Sequence, residues 1–179
     1  MNKINVLPVA AKHLETLSTY GEDGRSWGDY ALFFGLPLIA GAALLAIGFG
    51  FRTDAVNGFL NAFAIFTGLL LNVLVLVFTL AAASTPLNID LRLRKELLRQ
   101  VFVNICFALI VSVGVVCTAI VALSYMRSNP GAVTGKIATL LLTAFTLNFV
   151  MTLLMIIKRM YYLLDKELER SNPQRKSAA

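Results

Sequence analysis

Runs of apolar residues divide the chain into four long stretches free of charged side chains: Ala31 to Phe51, Phe59 to Ala83, Val101 to Tyr125 and Ile137 to Ile157. Each has about the 20 residues that take an α-helix across ~30 Å of hydrocarbon at ~1.5 Å per residue. The pattern predicts an all-α protein, a polytopic four-transmembrane-helix bundle forming a single membrane domain over residues 1–179, with spans at about 31–51, 59–83, 101–125 and 137–157.

Between the spans the period stays helical. Leu7, Ala10, Leu14 and Leu17 recur at three- and four-residue spacing beyond Pro8, which predicts a weakly amphipathic helix on the membrane surface or on the bundle. Gly21, Gly24 and Gly28 then break the chain, and Trp27 and Tyr30 stand where interfacial aromatics enter a span. The short connection Arg52 to Gly58 predicts that the first two spans form an antiparallel hairpin. After Thr85-Pro86, Asn88 or Asp90 can cap a helix that meets no Gly or Pro until the third span is well under way, so one rod of roughly 36 residues is expected over 89–125. Its foot carries Leu91, Leu98 and Phe102 on one face and Arg92, Lys95 and Arg99 on another. The fourth span continues likewise, with Tyr161, Leu164 and Leu168 on one face, to Asn172-Pro173. The tail 173–179 has the composition of a disordered segment.

Composition supports the bilayer as solvent: 58% of the 179 residues are hydrophobic and 15% are charged. The N-terminal residues lack the basic, apolar, small-residue order of a cleaved leader, so the first span is expected to act as its own insertion signal. Of the 16 Lys and Arg residues, all but Arg52, Arg127 and Lys136 fall on the side shared by the two termini and the middle connection. That bias places both termini and the middle connection in the cytoplasm. Cys106 and Cys117 lie ~16 Å apart along one helix, too far for the ~5.5 Å Cα spacing of a disulfide, and read as packing residues.

Candidate chemistry is sparse. With no ionisable residue in the spans, proton-coupled transport and intramembrane proteolysis are disfavoured, and no enzyme, cofactor or metal is expected. His13, the single histidine, reads as a solvated side chain, and GAVTGK at 131–136 as a turn, one residue short of a phosphate loop. Small residues Gly41, Ala42, Ala46, Gly48 and Gly50 suggest a close helix-packing stripe on the first span. Asn61, Gly68, Asn72 and Thr79 fall within about ±20° on one side of the second span, and Thr139, Thr143 and Thr146 form a second stripe on the fourth, opposite Asn148. These stripes either hydrogen-bond between helices or line a water-filled path in an oligomer. At the cytoplasmic feet, Arg92, Arg94, Lys95, Arg99, Lys166, Glu167 and Arg170 mix both signs beside apolar ridges, as a protein-docking surface does.

The charge-rich LNIDLRLRKELLRQVFVNICF at 87–107 and the ending LLMIIKRMYYLLDKEL at 153–168, set in this four-span plan, resemble the KwaA membrane subunits of Kiwa anti-phage systems. The resemblance implies a homo-oligomeric inner-membrane sensor of envelope disturbance that docks a cytoplasmic DNA-binding effector. The expected partners are thus membrane lipids, further copies of the chain and a cytoplasmic protein, with no direct nucleic-acid binding. The expected function is a non-enzymatic sensor and scaffold; the alternative is an oligomeric ion channel or pore-forming effector with an Asn/Thr-lined path.

Overall fold

The computed structural model describes residues 5–16, 28, 31–82, 90–128 and 132–171, with backbone alone for 80, 90–94, 127–128, 132–134 and 166–171. In order come α1 (Leu7–Glu15), a π-helical turn (Ala31–Gly35) leading into α2 (Leu36–Ala46), α3 (Thr53–Ala82), α4 (Asp90–Ser128) and α5 (Ala132–Ser171). Trp27, Tyr30 and the tail 173–179 lie outside the described residues.

Among the described residues three helices are long and apolar enough to cross a membrane, over Thr53–Thr79, Lys95–Met126 and Gly135–Asp165. The two rods are continuous, α4 with 39 residues and α5 with 40. At ~58 and ~60 Å each is about twice the hydrocarbon thickness. GAVTGK is therefore no free turn, because Ala132 to Lys136 form the first turn of α5.

The first apolar stretch is shorter than its hydropathy suggests. A π-helical turn of 5 residues and 11 residues of α-helix reach Ala46, roughly 24 Å in all. The stop is local: Gly48 has φ +76°, its N–H bonds the Leu45 carbonyl at 3.0 Å, and the Phe49 N–H bonds that of Leu44 at 2.9 Å. This is a Schellman closure, which favours glycine in the left-handed conformation. The chain turns at Ile47 to Arg52 and α3 starts at Thr53, six residues before the expected span. Asp54 in its first turn complements the positive end of the helix.

Packing does not follow chain order. α4 lies between α3 and α5, α2 lies on α5, and α1 crosses α4. The expected hairpin of the first two spans is thus corrected. Two contacts hold α2 and its exit against α5. At Gly41 a Cβ would stand 2.9 Å from Leu140 Cδ1 and 3.1 Å from its carbonyl oxygen, so only glycine admits the approach. The Phe51 N–H donates to Thr139 Oγ1 at 2.9 Å, and Thr139 donates in turn to the Gly135 carbonyl at 2.8 Å.

The long helices meet through seams spaced alternately three and four residues. On α4 the seam is Leu98, Val101, Ile105, Ala108, Ser112, Val115, Ala119 and Ala122, all buried. This 3.5-residue repeat is the signature of left-handed, shallow-angle packing. α3 sends every seventh residue inward, Val56, Phe63, Leu70 and Val77. Phe63 meets Phe149 of α5 edge-on at 4.9 Å, and Thr67 shares a 2.9 Å hydrogen bond with Ser112 of α4.

The small-residue stripe survives only at Gly41. Ala42, Ala46, Gly48 and Gly50 are exposed, and Cβ atoms at Gly48 and Gly50 would meet nothing within 4 Å. Ala42 and Ala46 face away from α5, while Gly48 and Gly50 serve the turn.

Candidate functional site

Among the described residues a buried polar cluster lies where α1 meets the N-terminal half of α4 and the C-terminal half of α5. His13, read from the sequence as solvated, is fully buried, and this reverses the expectation. Its ring stacks on Phe107 of α4 with centroids 3.8 Å apart and planes 7° from parallel, and the Phe33 ring lies tilted against it at 5.2 Å. α1 presents it because Ala10, one turn earlier on the same face, packs against the core while Leu7 stays exposed.

His13 Nδ1 stands 2.9 Å from Asn104 Oδ1. With the amide oxygen as acceptor, the imidazole proton sits on Nδ1 and Nε2 keeps its lone pair. Asn104 is itself fully buried, and Thr16 Oγ1 lies within hydrogen-bonding distance both of its Oδ1, at 2.9 Å, and of the His13 carbonyl, at 2.6 Å. One hydroxyl proton serves one of these at a time. Arg159 of α5 completes the group, donating from a guanidinium nitrogen to the Thr16 carbonyl. That carbonyl belongs to the negative end of α1, where a cation is favourable by about 0.3–1 kcal/mol.

The electrostatics hold the histidine neutral. Burial lowers its pKa from the ordinary 6.5 to about 4; the hydrogen bond to Asn104 opposes that shift and the Arg159 cation adds to it. A proton added at Nε2 would enter a buried site that offers this atom no acceptor, beside a guanidinium. Asn104 Nδ2 and Arg159 Nη1 are likewise buried without protein partners. Among the described residues no three His, Cys, Asp or Glu side chains converge as metal ligands would. In this form the cluster can clasp α1 to the N-terminal half of α4 and the C-terminal half of α5.

Of the docking residues expected from sequence, Lys95 and Arg99 are exposed on the foot of α4, and Arg99 pairs with Glu96 at 2.7 Å. Arg92, Arg94, Lys166, Glu167 and Arg170 lie on α4 and α5, but their side chains are outside the described residues. Tyr161 and Leu164 remain exposed, 65% and 60%, so among the described residues nothing covers their apolar face.

The polar stripes part company. Thr139 is buried in the α2–α5 contact, whereas Thr143 and Thr146 are half-buried with Oγ1 atoms unpartnered. Asn148 turns inward and donates to the Phe33 carbonyl at 3.3 Å. Asn61, Asn72 and Thr79 all face away from the bundle, so among the described residues they make no hydrogen bond between helices. Thr79 bonds the Leu76 carbonyl of its own helix at 2.8 Å. Cys106 and Cys117 are free, the first half-buried and the second exposed, so only Cys106 packs.

Counting apolar residues misses His13, because a histidine scores as polar although its ring buries as an aromatic. The usable signal is Asn104, an amide in the inner part of an otherwise apolar rod, which needs a polar partner from another element. Comparison with protein-family models, with curated proteins and with solved structures finds no match to this chain.

Proposed function

We propose that the chain is a non-enzymatic membrane sensor and scaffold of bacterial anti-phage defence, sited in the inner membrane with its termini in the cytoplasm. In this reading it has four spans, α2 being the short one, and assembles as a homo-oligomer that docks a cytoplasmic effector on the feet of α4 and α5. The defence role follows the resemblance to KwaA subunits.

The observation that carries the reading is the His13 clasp, which couples a peripheral helix to the N-terminal half of α4 and the C-terminal half of α5. A displacement of α1 then alters the surface that the rods present. Tyr161 and Leu164 exposed on α5, and the cations Lys95 and Arg99 exposed on α4, support docking, since an apolar ridge supplies affinity and charge supplies register.

Combined charge reversal at Arg94→Glu and Lys95→Glu tests it in cells that carry the neighbouring genes. Loss of a co-purifying protein with membrane insertion intact is the expected result, and undiminished recovery overturns the docking surface. The outward Asn61, Asn72 and Thr79 favour one competing reading, an oligomeric channel. Ion flux through liposomes that Asn72→Leu alters would support the channel, and a tight bilayer would support the scaffold.

A further inference from the structure

α3 is the least covered of the long helices: 17% of its apolar stretch is buried, against 44% for α4 and 39% for α5. Its inward face has Leu60, Thr67 and Leu74, half-buried, interleaved with Val56, Phe63, Leu70 and Val77, giving the same alternation of four and three residues as α4. A second such series runs along the opposite side: Asn61, Ile65, Gly68, Asn72, Val75 and Thr79, every member exposed. A Cβ at Gly68 would meet nothing within 4 Å. Asn61 and Asn72 lie about 8 Å on either side of the middle of Thr53–Thr79. Both amides are therefore at hydrocarbon depth, and neither has a hydrogen-bond partner among the described residues.

Acyl chains give an amide nothing to bond, and an unsatisfied polar group at that depth costs several kcal/mol. A second amide does satisfy it, because each carries both donor and acceptor. We infer that this outward seam of α3 is a parallel, two-fold interface with α3 of a second copy, in which Asn61 faces Asn61 and Asn72 faces Asn72.

The occupant is set by complementarity and topology. Identical chains insert with the same orientation, so a two-fold axis between them runs along the membrane normal and their α3 helices are parallel. In that arrangement equivalent positions meet at one depth, and a self-complementary side chain recurs opposite itself. The four–three spacing fixes a left-handed crossing of about 20°, and Gly68 admits close approach at the centre. Buried Asn pairs also set register, since any slip leaves amides against Ile65 or Val75.

The inference rests on the membrane and homo-oligomer reading and sharpens it to one helix face. Its test is disulfide trapping of the full chain in native membranes, with Cys106→Ala and Cys117→Ala removing the native thiols. Asn61→Cys, Gly68→Cys and Asn72→Cys should each give a disulfide-linked dimer on mild oxidation. Val73→Cys, at the depth of Asn72 but some 100° around the helix, should give none. Cross-linking at Val73→Cys with none along the seam would overturn the face while leaving homo-oligomers intact. Absence of cross-links from both series, with only monomer by native mass spectrometry of the unsubstituted protein, would remove the homo-oligomer as well.

Discussion

Asn104 and Asn72 are the same side chain on neighbouring helices, and their surroundings differ completely. Asn104 is sealed inside the chain, where His13 and Thr16 reach its amide oxygen and two phenylalanines wall the histidine. Asn72 points outward from α3 with no partner among the described residues. One amide closes a structure and the other is open to a second chain. A polar residue in an apolar helix announces a partner; where that partner resides depends on the face, and the face depends on packing order.

The comparison can be broken first at its closed side. His13→Ala leaves a gap between Phe33 and Phe107 and takes one of two bonds from a buried amide, so α1 docking should weaken by about 3 kcal/mol. Hydrogen exchange of residues 7–15 should then accelerate on the order of 100-fold while the middle of α4 keeps its protection.

Acid should open the same clasp without mutation. Free α1 binds a proton at His13 near 6.5 and docked α1 only near about 4, so docking is complete above the higher value and is lost as pH falls towards the lower one. Between pH 7 and pH 5 the docking constant should drop roughly 20-fold, or about 2 kcal/mol. Arg159 from α5 is the charged group that acts on the ring, and the Glu96–Arg99 pair of α4 acts in turn on Arg159 and Glu15. His13→Gln should remove the pH dependence of α1 protection while Glu96→Gln retains it.

At the open side, Asn61→Leu with Asn72→Leu should weaken self-association about tenfold in nanodiscs, taking an interhelical amide bond as roughly 0.6 kcal/mol and no more than about 1.7. Monomer folding should be unaffected. Gly41→Ala should loosen α2 from α5 by about 1–2 kcal/mol, because the Leu140 carbonyl cannot yield as a side chain can, and Gly50→Ala should change little. The smallest effect is expected at Glu96→Gln, which removes an exposed i,i+3 ion pair worth about 0.3–0.5 kcal/mol. Thermal unfolding in detergent checks both.

Which features are legible in the sequence follows from the range over which they are encoded. The rods α4 and α5 can be read because unbroken helical composition is local, and Asn172-Pro173 marks an end. The early stop of α2 is half visible: Gly48 and Gly50 can terminate a helix or pack it, and hydropathy does not distinguish the two. The pairing of α2 with α5 is not legible, since it depends on Gly41 meeting Leu140 across nearly 100 residues of chain. For the candidate site, Asn104 signals a missing partner, whereas nothing in the spacing around His13 states that the N-terminal helix supplies it. The outward stripe of α3 is plain on a helical wheel, but only packing shows that it faces out.

The buried imidazole is the hinge of this account, and a single histidine in the chain makes it directly observable. A ¹H–¹⁵N titration of His13 in nanodiscs should show a neutral ring protonated on Nδ1 at pH 7 and a pKa near about 4. Titration near 6.5 with both nitrogens exchanging as in free imidazole would mean that α1 is not clasped, and the coupling between it and the rods would fall.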